Sequence, residues 1–244
     1  MNQVTIMNIP FLNINQHDFV SLLDKHIQHD EKVFVVTANP EIVMMANEDS
    51  TFMNYLHEAT YITADGIGIV KASSLLNSPL PGRVTGYDTM TNLLNVANNR
   101  KYKIYLLGAK NETLMKTIRT ISSTYPNIEI VGSHDGYFDW EDNTITEDIK
   151  QLKPDITFVA LGVPRQEKWI AENFSTFNTG VFICVGGSFD AISGTVKRAP
   201  AIWQKLNLEW LYRLLKQPSR WRRMLALPRF IIQILKQKAK GTSS

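Results

Sequence analysis

Asp65 is the carboxylate whose surroundings best suit a catalytic acid or base. It follows the short strand-like segment 61–64 and stands beside Gly66 and Gly68. In an open α/β sheet, a side chain at the carboxyl end of a strand faces the cleft that binds ligands. A carboxylate in such a place can act as a general base that takes the proton of a hydroxyl group, and Asp65 is our candidate for that role. The competing interpretation is that Asp65 caps the helix predicted to begin at Ile67.

Thr37 and Asn39 stand at a second predicted strand end. The segment 33–36 is a run of Val and Phe, too short for a helix and apolar on both faces, which predicts a buried strand. Pro40 cannot continue a central strand but suits the first position of a helix. Thr37 and Asn39 are therefore candidates to direct polar groups into the same cleft. Asn39 is equally suited to capping its helix, and it could do both.

Arg83 and Gln166 extend this set of polar candidates. Arg83 lies in the loop 77–85, which contains Pro and Gly, and its guanidinium could neutralise a diphosphate through bidentate hydrogen bonds. A loop arginine can also simply be solvated. Gln166 is predicted just inside a helix at the edge of the cleft, where it could hydrogen-bond a sugar or be a first-turn residue of no consequence.

Glycines at further predicted strand ends suggest a nucleotide site. Glycine lets backbone N–H groups approach a phosphate, and helix N-termini favour anions. Glycine is also the ordinary residue of turns, so both interpretations stand. The residues concerned, each at or just beyond a predicted strand end, are Gly108, Asp135, Gly136, Gly162 and Asp190.

The motifs of common cofactor and metal sites are incomplete or missing from the sequence. The segment 65–68 begins like a dinucleotide fingerprint, but Lys71 takes the place of the third glycine, which disfavours an NAD-dependent oxidoreductase. The sequence has no P-loop motif and no DxD pair of the kind that holds a metal on a sugar nucleotide. The five histidines lack ligand spacing, and Cys184 is the only cysteine. We therefore predict no cofactor and no metal.

Strand-length segments alternate with helical patterns, which predicts a Rossmann-like α/β fold: a mostly parallel sheet with helices on both faces. A short strand pair with a turn at 8–10 comes first. The six segments of strand length that follow are 33–36, 61–64, 103–107, 128–131, 155–161 and 181–185. Beyond Gly194 only helical segments follow, at 199–217, 219–227 and 230–240, with breaks at Pro218 and Pro228. We therefore divide the chain into an α/β core, 1–194, and a C-terminal helical appendage, 195–244.

The appendage is far more basic than the core. Residues 195–244 hold 12 Lys and Arg residues against one acid, whereas the other 194 residues hold 14 basic and 22 acidic residues. Such a segment is suited to an anionic surface or a polyanion. No segment approaches the ~20 apolar residues that span a bilayer, and the N-terminus lacks signal-peptide features, so we expect a cytoplasmic protein. A nucleic-acid-binding arm is the alternative, which the prolines and aliphatic residues of the segment disfavour.

Five segments, in this order along the chain, resemble one bacterial glycosyltransferase family. They are TANPEIV, ADGIGIVKA, GVPRQE, GGSFDAISGTVKRAP and NLEWLYRLLKQPSRWRR. Together they are similar to the wall teichoic acid N-acetylmannosaminyltransferase family, which also includes enterobacterial common antigen and capsular enzymes of the same fold. The resemblance covers nearly the whole chain.

The resemblance implies an inverting, metal-independent transferase. Such an enzyme moves N-acetylmannosamine from UDP-N-acetylmannosamine to the 4-hydroxyl of N-acetylglucosamine on undecaprenyl diphosphate, an early step of wall teichoic acid linkage-unit synthesis. Asp65 matches the family's proposed general base. The residues that match its pocket are Thr37, Asn39, Arg83 and Gln166, and the implied donor cleft adds Gly108, Asp135, Gly136, Tyr137, Gly162 and Asp190. Because the motifs are shared with members that use other donors, a same-fold transferase acting on another UDP-sugar is the alternative.

The resemblance also implies a membrane role for the appendage. Arg213, Arg220 and Arg223 fall in the part that, in the family, closes over the site and touches the membrane. Basic residues near an anionic leaflet contribute ~1 kcal/mol each, so four or five would hold the protein there reversibly. We expect a protein at the inner face of the cell membrane, next to its lipid-linked acceptor and without a nucleic-acid partner. A homo-oligomer is compatible with this arrangement.

Overall fold

Eight β-strands form one sheet in the computed structural model, which describes residues 2–216, 221 and 225–241. In chain order they are β1 (Gln3–Ile6), β2 (Ile9–Leu12), β3 (Lys32–Ala38), β4 (Tyr61–Ala64), β5 (Lys103–Gly108), β6 (Glu129–His134), β7 (Ile156–Ala160) and β8 (Gly180–Cys184). Their order across the sheet is β1-β2-β4-β3-β8-β7-β5-β6. Neighbouring strands run parallel except in the β1–β2 hairpin. The carboxyl ends of β3 to β8 therefore share one edge of the sheet.

Helices cover both faces of this sheet, which confirms the predicted fold class. In the described ranges they are α1 (Gln16–Gln28), α2 (Pro40–Glu48), α3 (Ser50–His57), α4 (Ile67–Leu75), α5 (Gly86–Arg100), α6 (Asn111–Thr124), α7 (Thr144–Leu152), α8 (Arg165–Phe174), α9 (Ser188–Ile192), α10 (Ala201–Lys205), α11 (Glu209–Lys216) and α12 (Ala226–Gly241). Apolar residues of α2, α3, α4, α7, α8 and α12 form the core on one face. Those of α1, α5, α6 and α9 form the core on the other face.

Strand β3 contributes to both cores. Val33 and Val35 belong to one apolar cluster and Phe34 and Val36 to the other, and all four are at most 1% exposed. Successive side chains of a strand point to opposite faces of the sheet, so a continuous apolar run is buried on both sides. Burial of each such side chain contributes ~1.5–3 kcal/mol. The strand predicted from this run is confirmed.

The N-terminal hairpin turns earlier in the chain than predicted. Met7 and Asn8 have left-handed φ angles of 48° and 65°, as a two-residue hairpin turn requires. The predicted turn at 8–10 was wrong in that Pro10 lies within β2, where it stands opposite Thr5. The fixed φ of proline is compatible with an extended strand, so a proline does not by itself mark the turn.

The C-terminal helices also break at other points than predicted. The segment 199–217 divides into α10 and α11 near Asn207, whose φ is 59°. Pro228 does not separate two helices, because it lies in the first turn of α12, where the missing N–H is harmless. The predicted helix 219–227 lies largely outside the described residues. So do Arg220 and Arg223, and the side chain of Arg213.

Helix α12 packs onto the core through one face. Phe230 and Ile234 are 2% and 1% exposed and join the cluster that contains apolar residues of α2 and α4. The Gln237 side chain accepts a hydrogen bond from the Met7 N–H at 3.0 Å and donates one to the Thr5 carbonyl at 3.3 Å. This helix is therefore fixed to the N-terminal hairpin as well as to α2 and α4.

Gly108 allows the closest backbone approach at the carboxyl edge. Its φ is 126°, and an added Cβ would lie 2.5 Å from the carbonyl carbon and oxygen of Ala160 on β7. We predict that Gly108→Ala lowers the free energy of unfolding by ~2 kcal/mol or more, measured by urea denaturation. Gly82→Ala is the matched control, because an added Cβ there meets no atom within 4 Å. Equal stability of the two variants would contradict this close approach.

Candidate active site

The carboxyl edge of the sheet divides the candidate residues into two groups. Asp65 and Arg83 lie at the end of β4, and Thr37 and Asn39 lie at the end of β3. The ends of β8, β7, β5 and β6 follow along the same edge and surround a cavity. Because β3 pairs with β8, the two groups lie side by side along the carboxyl edge of the sheet.

Asp65 directly follows the last residue of β4. Its N–H donates to the Ala38 carbonyl at 2.9 Å, which holds it beside Asn39 at the end of β3. The N-cap position of α4 is occupied by Gly66, one residue after Asp65. The interpretation that Asp65 caps α4 is therefore wrong. Asp65 is partly exposed.

Asn39 and Thr37 are both engaged in structural hydrogen bonds. The Asn39 side-chain oxygen accepts from the Ile42 N–H at 3.1 Å, which confirms that it caps α2. The cap uses the oxygen of the amide, whereas an asparagine amide also carries two N–H donors. The Thr37 hydroxyl is buried and donates to the Cys184 carbonyl at 3.0 Å. Thr37 therefore ties the end of β3 to the end of β8.

The loop that carries Arg83 is anchored to β4. The Val84 N–H donates to the Ala64 carbonyl at 2.9 Å, and the Thr63 hydroxyl donates to the Val84 carbonyl at 3.1 Å. These two bonds hold Arg83, one residue before Val84, next to the strand end from which Asp65 follows. The backbones of Asp65 and Arg83, which are 18 residues apart in the sequence, are thus brought to the same strand end.

The cavity beside these residues has a volume of about 350 Å³, which is within the usual range of small-molecule sites. Its lining residues, from four strand ends and the segments after them, are Ala109, Lys110, Thr113, Gly136, Tyr137, Ala160, Leu161, Arg165, Gly186, Asp190 and Thr195. Three of the residues named from the sequence, Gly136, Tyr137 and Asp190, line it directly.

The other residues named from the sequence support the cavity from behind. Asp135 accepts a hydrogen bond from the Tyr137 N–H at 2.8 Å and so shapes the turn that presents Tyr137. The Gly162 carbonyl accepts the Gln166 N–H at 2.9 Å at the start of α8. With the close approach of Gly108 to Ala160, these contacts set the positions of the lining segments.

Two cationic residues that line the cavity were not among the candidates named from the sequence. Lys110 precedes α6, and Arg165 is the first residue of α8. The Arg165 guanidinium donates to the Gly136 carbonyl at 3.0 Å and lies 5.2 Å from the centre of the Trp140 ring. Arg165 lies inside the GVPRQE segment, but a contact with Gly136 depends on tertiary structure and leaves no local signal.

A chain of buried polar groups lies behind the cavity wall. Gln166 is 2% exposed; its Nε2 donates to Glu167 Oε1 at 2.8 Å, and its Oε1 accepts from the Gly186 N–H at 3.2 Å. Glu167 is fully buried, and burial raises its pKa to about 7. The Cys184 thiol faces the same carboxyl group, and burial raises its pKa as well. Gln166 is thus placed behind the wall and not in the open cleft.

Within the described residues, no three His, Cys, Asp or Glu side chains gather closely enough to hold a metal ion.

Comparison with known proteins identifies the family to which this cleft belongs. A profile of the glycosyl transferase WecG/TagA/CpsF family matches residues 4–244. The chain belongs to this family. The resemblance inferred from the five sequence segments is therefore confirmed, and the cleft is that of a WecG/TagA/CpsF-type glycosyl transferase.

Individual members of the WecG/TagA/CpsF family match the chain over almost its full length. A Bacillus subtilis (strain 168) protein named N-acetylglucosaminyldiphosphoundecaprenol N-acetyl-beta-D-mannosaminyltransferase is 44% identical over 241 residues, 98% of this chain and 93% of that protein. A protein of the same name from Staphylococcus aureus (strain MW2) is 39% identical over 240 residues, 98% of this chain and 94% of the relative. A third, from Bacillus spizizenii, is 38% identical over 239 residues, 98% of this chain and 93% of the relative.

The buried carboxyl of Glu167 makes stability depend on pH. Because its folded-state pKa, about 7, exceeds the ordinary glutamate value of 4.5, the folded protein keeps a proton that the unfolded chain releases between these values. Stability from this group is therefore fully present below pH ~4.5 and is lost as pH rises towards ~7. We predict that Glu167→Gln reduces the difference in the free energy of unfolding between pH 5 and pH 8 by up to ~3 kcal/mol, measured by urea denaturation at both pH values.

Glu141→Gln is the control for this measurement, because Glu141 is an exposed glutamate. It should leave the difference in stability between pH 5 and pH 8 as in the wild type. A wild-type difference retained in Glu167→Gln would contradict the assignment.

Proposed function

We propose that this chain transfers N-acetylmannosamine from UDP-N-acetylmannosamine, with inversion, to the 4-hydroxyl of N-acetylglucosamine on undecaprenyl diphosphate. This is an early reaction in the synthesis of the wall teichoic acid linkage unit. The observation that carries the proposal is the 44% identity, over 98% of the chain, to the relative named for this acceptor and this sugar. The division of the cleft into a carboxylate end and a cavity supports it.

The spacing of strands supports a donor that lies across the carboxyl edge. The cavity is centred on the ends of β7 and β5, and Asp65 follows β4, three strands away from β7. At ~4.8 Å per strand, that separation is roughly 14 Å. We assign the uridine to the cavity and the sugar to the Asp65 end, with the diphosphate between them over β8 and β3.

The lining of the cavity suits a nucleoside. Tyr137 is 71% exposed at the cavity, so its ring face is available for stacking on a base. The Asp190 carboxylate can accept hydrogen bonds from ribose hydroxyls. Lys110 and Arg165 add positive charge, and the N-terminus of α6 begins directly after Lys110. These features favour a ligand that carries hydroxyl groups as well as negative charge.

Asp65 acts as the general base in this proposal. It takes the proton of the acceptor 4-hydroxyl while that oxygen forms a bond to C1 of the donor sugar. The bond between C1 and the phosphate oxygen breaks, and its electron pair leaves with UDP. Attack opposite the leaving group inverts C1. A positioned base contributes ~10²–10⁴ in rate.

The remaining residues bind and orient the donor and complete the site. Arg83 stabilises the charge that develops on the leaving diphosphate, in the manner of a fixed cation at a transition state. Thr37 ties the end of β3 to the end of β8, Asn39 caps α2, and both shape the sugar subsite. The residues assigned to closure of the cleft from the segment 195–244 are Arg213, Arg220 and Arg223.

Attachment to the inner face of the cell membrane would bring the protein to its lipid-linked acceptor. None of the helices in the described part of the chain has the length and apolar character needed to cross a bilayer. Helix α12 packs its inner face on the core, yet Ile231, Ile232 and Leu235 on its outer face are 53%, 53% and 52% exposed. Exposed basic residues, Lys236 and Lys238, stand on the same helix. Apolar and basic groups on one helix suit binding to an anionic lipid surface.

The decisive experiment measures UDP release with N-acetylglucosaminyl-diphospho-lipid as acceptor. We predict turnover with UDP-N-acetylmannosamine and at least ~100-fold less in Asp65→Asn, since the base is lost while the fold and UDP binding remain. UDP-N-acetylglucosamine and UDP-glucose are the control donors. Turnover with one of these in place of the mannosamine donor would move the protein to another surface polysaccharide. Wild-type rates in Asp65→Asn would reject Asp65 as the base.

The membrane proposal is tested on the outer face of α12. We predict that the double variant Ile232→Glu/Leu235→Glu binds vesicles containing phosphatidylglycerol at least ~10-fold more weakly, because each apolar side chain loses its burial in lipid. Met115→Glu/Leu152→Glu is the control, since these residues are 43% and 37% exposed on α6 and α7. Equal vesicle binding by the two double variants in a sedimentation assay would exclude this surface.

A further inference from the structure

Gln166 and Glu167 form the part of the buried polar chain that reaches the cavity wall. The Gly186 N–H donates to Gln166 Oε1, and Gly186 itself lines the cavity with a left-handed φ of 52°. The other end of the Gln166 amide donates to Glu167 Oε1. Neither side chain lines the cavity, and both are almost completely buried.

The chemistry of the partners permits only one orientation of the Gln166 amide. Its oxygen must face the Gly186 N–H, because that group can only donate. Its nitrogen must face Glu167 Oε1, because that oxygen accepts. A reversed amide would set two donors against each other at Gly186 and two acceptors against each other at Glu167. A buried polar group that loses its partner costs more than an exposed one.

A second neighbour of Glu167 comes from β8. Glu167 lies on α8, and the Cys184 thiol of β8 faces its carboxyl group. The Cys184 carbonyl accepts the Thr37 hydroxyl of β3. The carboxyl group therefore stands at a junction of α8, β8 and β3, directly behind the point where the donor diphosphate is assigned.

We infer that Glu167 is a positioning residue: it orients the Gln166 amide so that the Gly186 turn keeps the shape that binds the donor. This assignment rests on the proposed function for its effect on the donor, whereas its effect on the Gly186 N–H is independent of any activity. It adds a role for Glu167 and makes Gln166 a support of the cavity wall.

Variants of Glu167 separate positioning from simple loss of stability. Glu167→Gln keeps an oxygen that can accept from Gln166, so it should preserve the wild-type site. Glu167→Ala removes the acceptor. Glu167→Asp shortens the side chain by one methylene and so moves the carboxyl group away from Gln166. It replaces Glu167→Ala in the experiment if the alanine variant does not fold. Thr157→Val is the matched control, because Thr157 is 1% exposed near the opposite end of β7.

Two measurements are made on each folded variant. The first is hydrogen exchange of the Gly186 amide, followed by NMR. The second is UDP affinity by calorimetry, together with kcat and KM for the UDP-sugar. In Glu167→Ala and Glu167→Asp we expect at least ~10-fold faster Gly186 exchange, ~10-fold weaker UDP binding and a matching rise in KM, with kcat within ~3-fold. Glu167→Gln and Thr157→Val should match the wild type in all of these.

The outcomes separate the two hypotheses. Unchanged Gly186 exchange and UDP affinity in Glu167→Ala or Glu167→Asp would overturn the positioning role even if transfer activity is confirmed. The same loss in Thr157→Val would also overturn it, since the effect would then follow from general destabilisation. If the wild type fails to bind UDP, the proposed donor is rejected, and the Gly186 exchange still decides whether Glu167 orients this turn.

Discussion

The pairing of β3 with β8 is the contact on which the site depends. These strands lie far apart in the sequence, and the hydrogen bond from Thr37 to the Cys184 carbonyl spans 147 residues. On one side of this pair, β4 brings Asp65 and the Arg83 loop to the edge; on the other, β7, β5 and β6 enclose the cavity. Without the β3–β8 contact, the carboxylate and the cavity would belong to separate halves of the sheet. Ligands of open α/β sheets bind at such junctions, at the carboxyl ends of the strands.

The distribution of polar groups across this edge follows from the same arrangement. In a parallel sheet the turns that lead from a strand into the next helix all lie at the carboxyl edge, so backbone N–H groups, helix N-termini and a few charged side chains converge there. Arg165 shows how the site limits the freedom of its cations. Its guanidinium donates a hydrogen bond to the Gly136 carbonyl and lies against Trp140. Because the side chain is already ordered, less conformational entropy is lost when a ligand binds to it.

Helix α12 packs on the core through one face and exposes apolar residues on the other. Phe230 and Ile234 are in the core, so this helix contributes to the stability of the fold. Its outer apolar residues remain exposed beside lysines, which makes the same segment suited to a lipid surface. A membrane contact made by a helix that is packed on the core would hold the cleft in a defined orientation towards a lipid-linked acceptor.

The sequence by itself determined the fold class, the family and the positions at which strands end in polar or glycine residues. Those features are local: the apolar run 33–36, Pro40 at a helix start, and Asp65 beside two glycines are recognisable without knowing any partner. Tertiary structure alone decided that Asn39 caps its helix while Asp65 does not, and that Gln166 lies behind the wall. It also decided the roles of Arg165 and Glu167, because their partners, Gly136 and Cys184, come from other strand ends. Hydrogen bonds and burial between distant segments depend on the order of the strands in the sheet. No short stretch of sequence determines that order.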